Sequence, residues 1–144
     1  KKKWKADIQA KPKLRTYVKL KEDYSLENYV KLNLTRPQRS KIAQIRFGIL
    51  PLYIETGRYT NVKIENRICQ MCNENRIESE LHFIMNCPLY KEERQVFFNS
   101  INVNFNSYSL ADNLKLLCTD YPRKLSKFIS KIWEKRKTNM YNQN

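Results

Sequence analysis

The stretch CQMCNENRIESELHFIMNC, residues 69–87, decides the fold. Cys69 and Cys72 form a C-x2-C pair, His82 follows after nine residues, and Cys87 follows after four more. Zn²⁺ prefers four thiolate or imidazole ligands in a tetrahedron, and a C-x2-C turn brings two sulfurs to one ion. The spacer between Cys72 and His82 is long enough for the chain to turn back. The spacing therefore predicts one zinc ion held by these four residues.

Other uses of these residues are less consistent with the sequence. Four cysteines allow two disulfides, but these belong to oxidising compartments, and no secretion signal is visible in the sequence. A redox C-x-x-C is typical of a βαβ context, which we do not find. A lone histidine commonly lies in a core, yet His82 falls between two cysteine positions at ligand spacing. Cys118 continues an apolar helical stripe, so we interpret it as a small buried hydrophobic residue.

The predicted site has no features of an active site. Four protein ligands leave no open position for water or substrate, which indicates a structural metal. Phe83 and Ile84 follow His82, where a zinc deaminase would carry H-x-E. The aspartates are scattered, and the sequence contains no glycine-rich phosphate loop. We therefore expect neither catalysis nor a small-molecule substrate.

Apolar periodicity outside the cysteines predicts a mainly α fold. Leu110, Leu114, Leu117 and Cys118 form one stripe, with Ser109 as its N-cap. A longer helix is predicted after Asp120 as N-cap, with Pro122 in its first turn. Its apolar side is Leu125, Phe128, Ile129, Ile132 and Trp133, and its opposite side is Lys124, Lys127, Lys131 and Lys135.

A third helix is predicted between Thr35 and Gly48. Thr35-Arg-Pro-Gln38 matches a capping box with proline in the first turn, and Gly48 is a typical C-terminal stop. Ile42, Ile45 and Ile49 would face inward. Residues 25–34 are predicted to form a shorter helix with Leu26, Tyr29 and Val30 on one side, and residues 54–64 a turn or short strand.

The segments of the chain differ in charge. We divide it into a basic N-terminal arm (1–24), a helical segment with a basic helix (25–64), a zinc module (65–100) and a C-terminal helical segment with a basic tail (101–144). The expected fold is a small helical domain with a Cys-Cys-His-Cys zinc knuckle and a short hairpin beside it. We expect the last residues, from about Lys137, to fray.

The net charge of +14, from 28 Lys and Arg against 14 Asp and Glu, indicates a polyanionic partner. The basic residues concentrate near the two ends, whereas residues 65–93 hold six Glu. No apolar run is long enough to cross a bilayer. The expected nucleic-acid contacts are Lys1, Lys2, Lys3, Arg36, Arg39, Lys41, Arg46, Arg58, Tyr59, Lys127 and Lys131. Simple packing of Tyr59 against the metal site is an equal alternative.

The stretch from Arg39 to Tyr90 resembles the zinc-binding segment near the C-terminus of reverse transcriptases from non-LTR (LINE-type) retrotransposons. The shared features are the basic helix, the run Ile54-Glu-Thr-Gly-Arg-Tyr59, the C-x2-C pair, and the run from Ser79 through His82 to Cys87-Pro88. The resemblance implies that the four predicted ligands bind zinc and that the segment contacts template RNA or target DNA. It implies no catalysis, because the polymerase's paired aspartates are absent.

Two functions from different classes follow. The first is a nucleic-acid-binding module, non-catalytic, within a reverse transcriptase polypeptide or alone, in the reducing nucleus or cytoplasm. The chain does not begin with Met, and we expect it to be a piece of a longer protein. The second is a zinc-stabilised protein-interaction module, in which the six glutamates of residues 65–93 face a basic partner. Salt-dependent binding to nucleic acid separates the two.

Overall fold

The computed structural model describes residues 2–103, 105 and 109–144. These residues form eight α-helices and contain no β-strand, and the longest connection, residues 57–90, carries Cys69, Cys72, His82 and Cys87. The helices are α1 (Lys2–Gln9), α2 (Arg15–Leu20), α3 (Asn28–Lys31), α4 (Arg36–Phe47), α5 (Tyr53–Thr56), α6 (Lys91–Asn99), α7 (Leu110–Asp120) and α8 (Pro122–Gln143). The mainly α prediction is confirmed.

The core lies around α8, which packs against α4, α6 and α7. Leu125, Ile129 and Ile132 of α8 are completely buried, as the apolar stripe predicts. Leu114 and Leu117 of α7 meet them from one side. Burial of such side chains contributes about 1.5–3 kcal/mol each to folding, so α8 is the central element of the domain.

Helix α4 begins and ends where the sequence predicts. The Thr35 side chain accepts a hydrogen bond from the Gln38 amide, and the Gln38 side chain accepts one from the Thr35 amide. Gly48 ends the helix at φ +65°, which glycine adopts without steric cost. Ile42 and Ile45 are fully buried, but Ile49 lies beyond this turn and is 55 % exposed, so its predicted inward position is wrong.

Four other predictions of local structure are wrong. Asp120 is the last residue of α7 and does not cap α8, since its N-cap position is Tyr121. Helix α8 continues to Gln143, well past the predicted fraying point. Residues 25–34 contain only the one-turn helix α3. Within them Tyr29 is buried, but the predicted stripe partners Leu26 and Val30 are exposed.

The N-terminal segment is more ordered than a free arm. Residues 2–20 form α1, a 3₁₀ turn at Pro12–Leu14, and α2. Ile8 is buried, and Leu20 of α2 joins the core beside α4 and α7. Residues 15–20 thus belong to the packed domain. Among the helices that the structure describes, none is long and apolar enough to cross a membrane.

Candidate metal centre

The four predicted ligands converge on one point. The ligand atoms of Cys69, Cys72, His82 and Cys87 all lie within 4.8 Å of one another. The Cys72 Sγ and His82 Nε2 atoms are 3.4 Å apart, close to the roughly 3.5 Å expected between a sulfur and a nitrogen on one tetrahedral zinc. None of the four cysteines forms a disulfide. The group can therefore hold a metal ion, as the spacing predicts.

Two short local structures bring the ligands together. Cys69 precedes a tight turn that is closed by one antiparallel bridge between Ile68 and Ile77. The Cys69 amide donates to the Arg76 carbonyl at 2.8 Å. This single bridge stands where a short hairpin was predicted, and no strand extends from it in the described residues. The turn reverses the direction of the chain, so that the segment carrying His82 and Cys87 comes back beside Cys69 and Cys72.

His82 is the first residue of a π-helical turn, and Cys87 directly follows that turn. The turn spans His82–Asn86, and the Cys87 amide donates to the His82 carbonyl at 2.7 Å. A π turn inserts one extra residue per turn, and such turns are frequent at functional sites. Here it places Cys87, five residues after His82, beside the same point in space. Sequence spacing predicts a helix at this position but not its π form.

The donor set fits zinc. Three sulfurs and one imidazole nitrogen in a buried, closed arrangement are typical of structural zinc sites. The hydrogen bond with the neighbouring Cys87 thiol and burial together raise the pKa of Cys69. Cys118 lies apart from this cluster, on α7, where burial raises its pKa to about 11. Its predicted exclusion from the ligand set agrees with this position.

Glu78 connects the metal cluster to the rest of the domain. Its carboxylate, 1 % exposed, accepts hydrogen bonds from Arg136 at 2.6 and 3.0 Å and from the Tyr53 amide at 2.6 Å. The Cys69 Sγ lies 3.9 Å from the same carboxylate. Although burial lowers the pKa of Arg136, the hydrogen bonds and charge of Glu78 raise it above its usual range. Glu78 thus joins the knuckle, α5 and α8.

Arg94 supports the other ligand pair. This buried residue of α6 donates from Nε to the Ile84 carbonyl at 2.8 Å and from Nη2 to the Cys87 carbonyl at 2.9 Å. A guanidinium presents donors in a fixed fork, which suits two adjacent carbonyls. Arg94 therefore holds the π turn and the Cys87 backbone against α6.

Sequence reasoning missed these supporting residues. Glu78 belongs to a segment that the alternative interpretation gives an acidic surface, and Arg136 to a helix whose lysines were predicted to contact phosphates. A signal for Arg136 exists, because it follows Ile132 by four residues and so continues the buried stripe of α8. A charged residue at a core position implies a buried partner of opposite charge.

The premise of an acidic surface on the zinc module is wrong for half of its glutamates. Glu78 and Glu80 are 1 % and 2 % exposed. Glu80 accepts hydrogen bonds from Arg15 at 2.8 Å and Thr16 at 3.1 Å, and burial raises its pKa despite the Arg15 charge. Glu93 pairs with Lys135 at 2.9 Å. Glu78 and Glu80 are therefore buried inside the domain and cannot face a partner, and Glu93 is already paired.

Some of the predicted nucleic-acid contacts are exposed to solvent and others are buried. Arg46 is 3 % exposed and pairs with Glu27 at 2.6 Å, so its predicted role as a phosphate contact is wrong. The neighbouring Arg39 is exposed and donates to the Leu32 carbonyl at 3.4 Å. Arg36 on α4 and Lys2 and Lys3 on α1 are exposed, whereas Lys1 lies outside the described residues.

Arg58 and Tyr59 lie together at the end of α5. Arg58 pairs with Glu55 at 2.6 Å, and its guanidinium carbon is 5.2 Å from the Tyr59 ring centre. Tyr59 is 73 % exposed, so the alternative in which it packs against the metal site is wrong. An exposed ring beside a cation is the arrangement on which a nucleobase can stack.

The predicted contacts Lys41, Lys127 and Lys131 lie on two different sides of α8. On the α4 side, the Lys41 ammonium lies 5.7 Å from the Trp133 ring centre. Burial and the nearby Lys137 charge lower the pKa of Lys41. On the α6 side, Lys127 and Lys131 border a groove against α6. The two sets therefore cannot contact one straight nucleic-acid strand together.

Comparisons with known proteins assign no family to the chain. No family model, no curated protein and no solved structure matches it.

Proposed function

We propose that this chain is a nucleic-acid-binding module whose fold depends on one structural zinc ion held by Cys69, Cys72, His82 and Cys87. The observation that carries the proposal is how the charges are distributed. With a net charge of +14, the domain uses the buried Glu80 and Glu78 and the half-buried Glu27 to neutralise Arg15, Arg136 and Arg46, while exposed lysines and arginines remain on its surface. Such a surface favours a polyanion.

The α4–α8 face is the binding surface we propose. It is defined by Lys41 of α4 and Lys137 of α8, with Trp133 beneath Lys41. Burial and the nearby Lys137 charge lower the pKa of Lys41, and Glu134 opposes this effect. Lys137 pairs with Glu134 at 2.7 Å, but both side chains are mostly exposed, so a phosphate can compete with this surface pair. Trp133 packs edge-on against Phe83, the residue after the ligand His82. The metal cluster therefore supports this face directly.

The resemblance to non-LTR reverse transcriptases agrees with this proposal. Its most distinctive run, residues 54–59, contacts the knuckle, since the Ile54 amide donates to the Glu78 carbonyl at 3.2 Å. Arg67 donates back to the Ile54 carbonyl at 2.6 Å. We therefore propose that the chain is the non-catalytic, zinc-containing part of such a polypeptide and contacts template RNA or target DNA.

The test is the salt dependence of binding by the zinc-loaded chain. Affinity for a structured RNA, a single strand and a DNA duplex is measured between about 50 and 200 mM salt, where phosphate contacts weaken steeply. We expect the double variant Lys41→Gln/Lys137→Gln to reduce the log–log salt slope for a duplex by about 2, because each phosphate contact contributes about 0.9. Glutamine keeps the aliphatic stem over Trp133.

The matched control removes two cations elsewhere. Lys91 on α6 and Lys115 on α7 lie outside the α4–α8 face, so Lys91→Gln/Lys115→Gln should leave the slope within about 0.5 of the parent value. Equal slopes for both double variants would show that the α4–α8 face is not the contact surface. Weak, salt-insensitive binding of the parent to all three ligands would refute nucleic-acid binding itself.

A further inference from the structure

A groove between α6 and α8 is not used by the proposed nucleic-acid face. It has a volume of about 330 Å³ and lies on the side of α8 away from α4. Phe97 and Phe128 form its floor, with their rings stacked at 4.7 Å between centres and an interplanar angle of 9°. Val96 forms one wall and is 63 % exposed. The two rings are almost entirely buried, so Val96 supplies the main apolar side chain that solvent reaches in the groove.

Lysines form the other border of this groove. Lys124, Lys127 and Lys131 follow one another at three and four residues, which places them along one edge of α8 over about 10 Å. Among the described residues, no carboxylate forms an ion pair with Lys127 or Lys131. The acid that lines the groove, Glu93, is already paired with Lys135 at 2.9 Å. An apolar floor thus has a positive rim.

The chemistry of the groove disfavours a nucleic acid. Phe97 and Phe128 are each 5 % exposed, so neither presents a ring face on which a base could stack. Phosphates would meet the lysines but would leave the exposed Val96 side chain in contact with water. A helix with an apolar stripe flanked by Asp or Glu fits both the apolar wall and the lysine edge of the groove. Its stripe covers Val96, and its carboxylates meet the lysines.

We propose that the α6–α8 groove binds an acidic amphipathic helix of a protein partner. The proposal goes beyond nucleic-acid binding and uses a different side of α8. Apolar residues at i, i+3, i+4 and i+7 of the partner cover Val96 and the small accessible part of Phe97 and Phe128. Acidic residues beside that stripe pair with Lys127 and Lys131, and the mainly positive domain favours their approach.

The probe is a fluorescein-labelled 15-residue peptide with Leu at i, i+3, i+4 and i+7 and Glu on both flanks, compared with a scrambled peptide of equal composition. Binding to the zinc-loaded chain is measured by fluorescence anisotropy. We expect the amphipathic peptide to bind about tenfold or more tightly than the scrambled one, since only it presents both a stripe and a charged edge. Equal affinities would overturn the proposal.

Variants separate the groove from general attraction to a basic protein. Lys127→Glu/Lys131→Glu and Val96→Asp should each lower the affinity for the amphipathic peptide about tenfold. The first reverses the charge of the lysine edge, and the second places a carboxylate on the apolar wall of the groove. Lys91→Glu, on the same helix as Val96 but outside the groove, is the control and should change the affinity about twofold at most. Equal loss in the control would overturn the proposal.

The nucleic-acid experiment uses the same variants. Lys127→Glu/Lys131→Glu should lower RNA or DNA affinity no more than the charge-matched Lys91→Glu/Lys115→Glu. A loss of nucleic-acid binding specific to the groove variant, with peptide binding unchanged, would assign the groove to nucleic acid and overturn the peptide proposal. Failure of the α4–α8 variants alone would leave the groove proposal intact.

Discussion

The substitution Glu78→Gln tests whether the buried ion pair holds the metal knuckle onto α8. Glu78 and Arg136 come from positions 58 residues apart, and their side chains are 2 % and 9 % exposed. Glutamine is nearly isosteric but neutral, and its amide group cannot accept both guanidinium hydrogen bonds. Arg136 would remain buried without a counter-charge, which is the costly way to break such a pair.

The expected cost is about 3–5 kcal/mol of unfolding free energy, the range for leaving one partner of a buried pair alone. For a domain of this size each kcal/mol lowers Tm by about 3 °C, so the midpoint should fall by about 10 °C. The assay is urea and thermal unfolding of zinc-saturated protein followed by helical circular dichroism. The control is Glu74→Gln, because Glu74 is exposed and lies 3.8 Å from Arg76. This surface pair should contribute less than about 1 kcal/mol.

A double-mutant cycle assigns the effect to the pair. Arg136→Met removes the guanidinium and keeps an apolar stem, so the double variant has no uncompensated buried charge from either partner. We expect the cycle to give a coupling energy of about 2 kcal/mol or more, in the range measured for groups in direct contact. The claim that this pair holds the knuckle onto α8 would be refuted by a loss of unfolding free energy below about 1 kcal/mol for Glu78→Gln. It would also be refuted if the losses of the two single variants added up to that of the double variant.

Two further predictions concern the metal and one backbone turn. Chelation of the zinc should lower Tm sharply and abolish most tertiary structure, because metal binding supplies folding free energy. Cys69→Ser should reproduce this loss while Cys118→Ala retains one zinc per chain, and an unchanged Tm after chelation would contradict the structural role. Gly48→Ala should cost about 1–2 kcal/mol, since alanine at φ +65° is strained and its Cβ would lie 3.1 Å from the Thr16 Oγ1 atom. The exposed α4 substitution Ser40→Ala is its control in urea unfolding, and equal stabilities would contradict the strain.

Signals that act between near neighbours in the chain were predictable. The α4 boundaries follow from a capping box and a terminal glycine, which act through the backbone within three or four residues. The ligand set follows from cysteine and histidine spacing, because few chemistries need that pattern. By the same logic, the lysine edge and the apolar stripe of α8 follow from helical periodicity alone.

Local sequence signals gave wrong predictions for Asp120 and for the N-terminal segment. Asp120 satisfies the rules for an N-cap, yet it completes α7 because the chain turns one residue later, at Tyr121. Residues 1–24 are too basic to predict a core contribution. However, the tertiary structure places Leu20 among the core residues and gives Arg15 a buried carboxylate partner in Glu80.

The sequence by itself determined the helical class, the four residues that could hold a metal ion and the excess of positive charge. Only the tertiary structure decided which charges are free. Arg39 and Arg46 are both arginines of the basic helix α4, and the sequence does not distinguish them. In the structure, Arg46 is buried and pairs with Glu27, whereas Arg39 is exposed to solvent. The physical reason is that a charge remains buried only beside a partner of opposite sign. Such partners, as with Glu78 and Arg136, come from distant positions that only folding brings together.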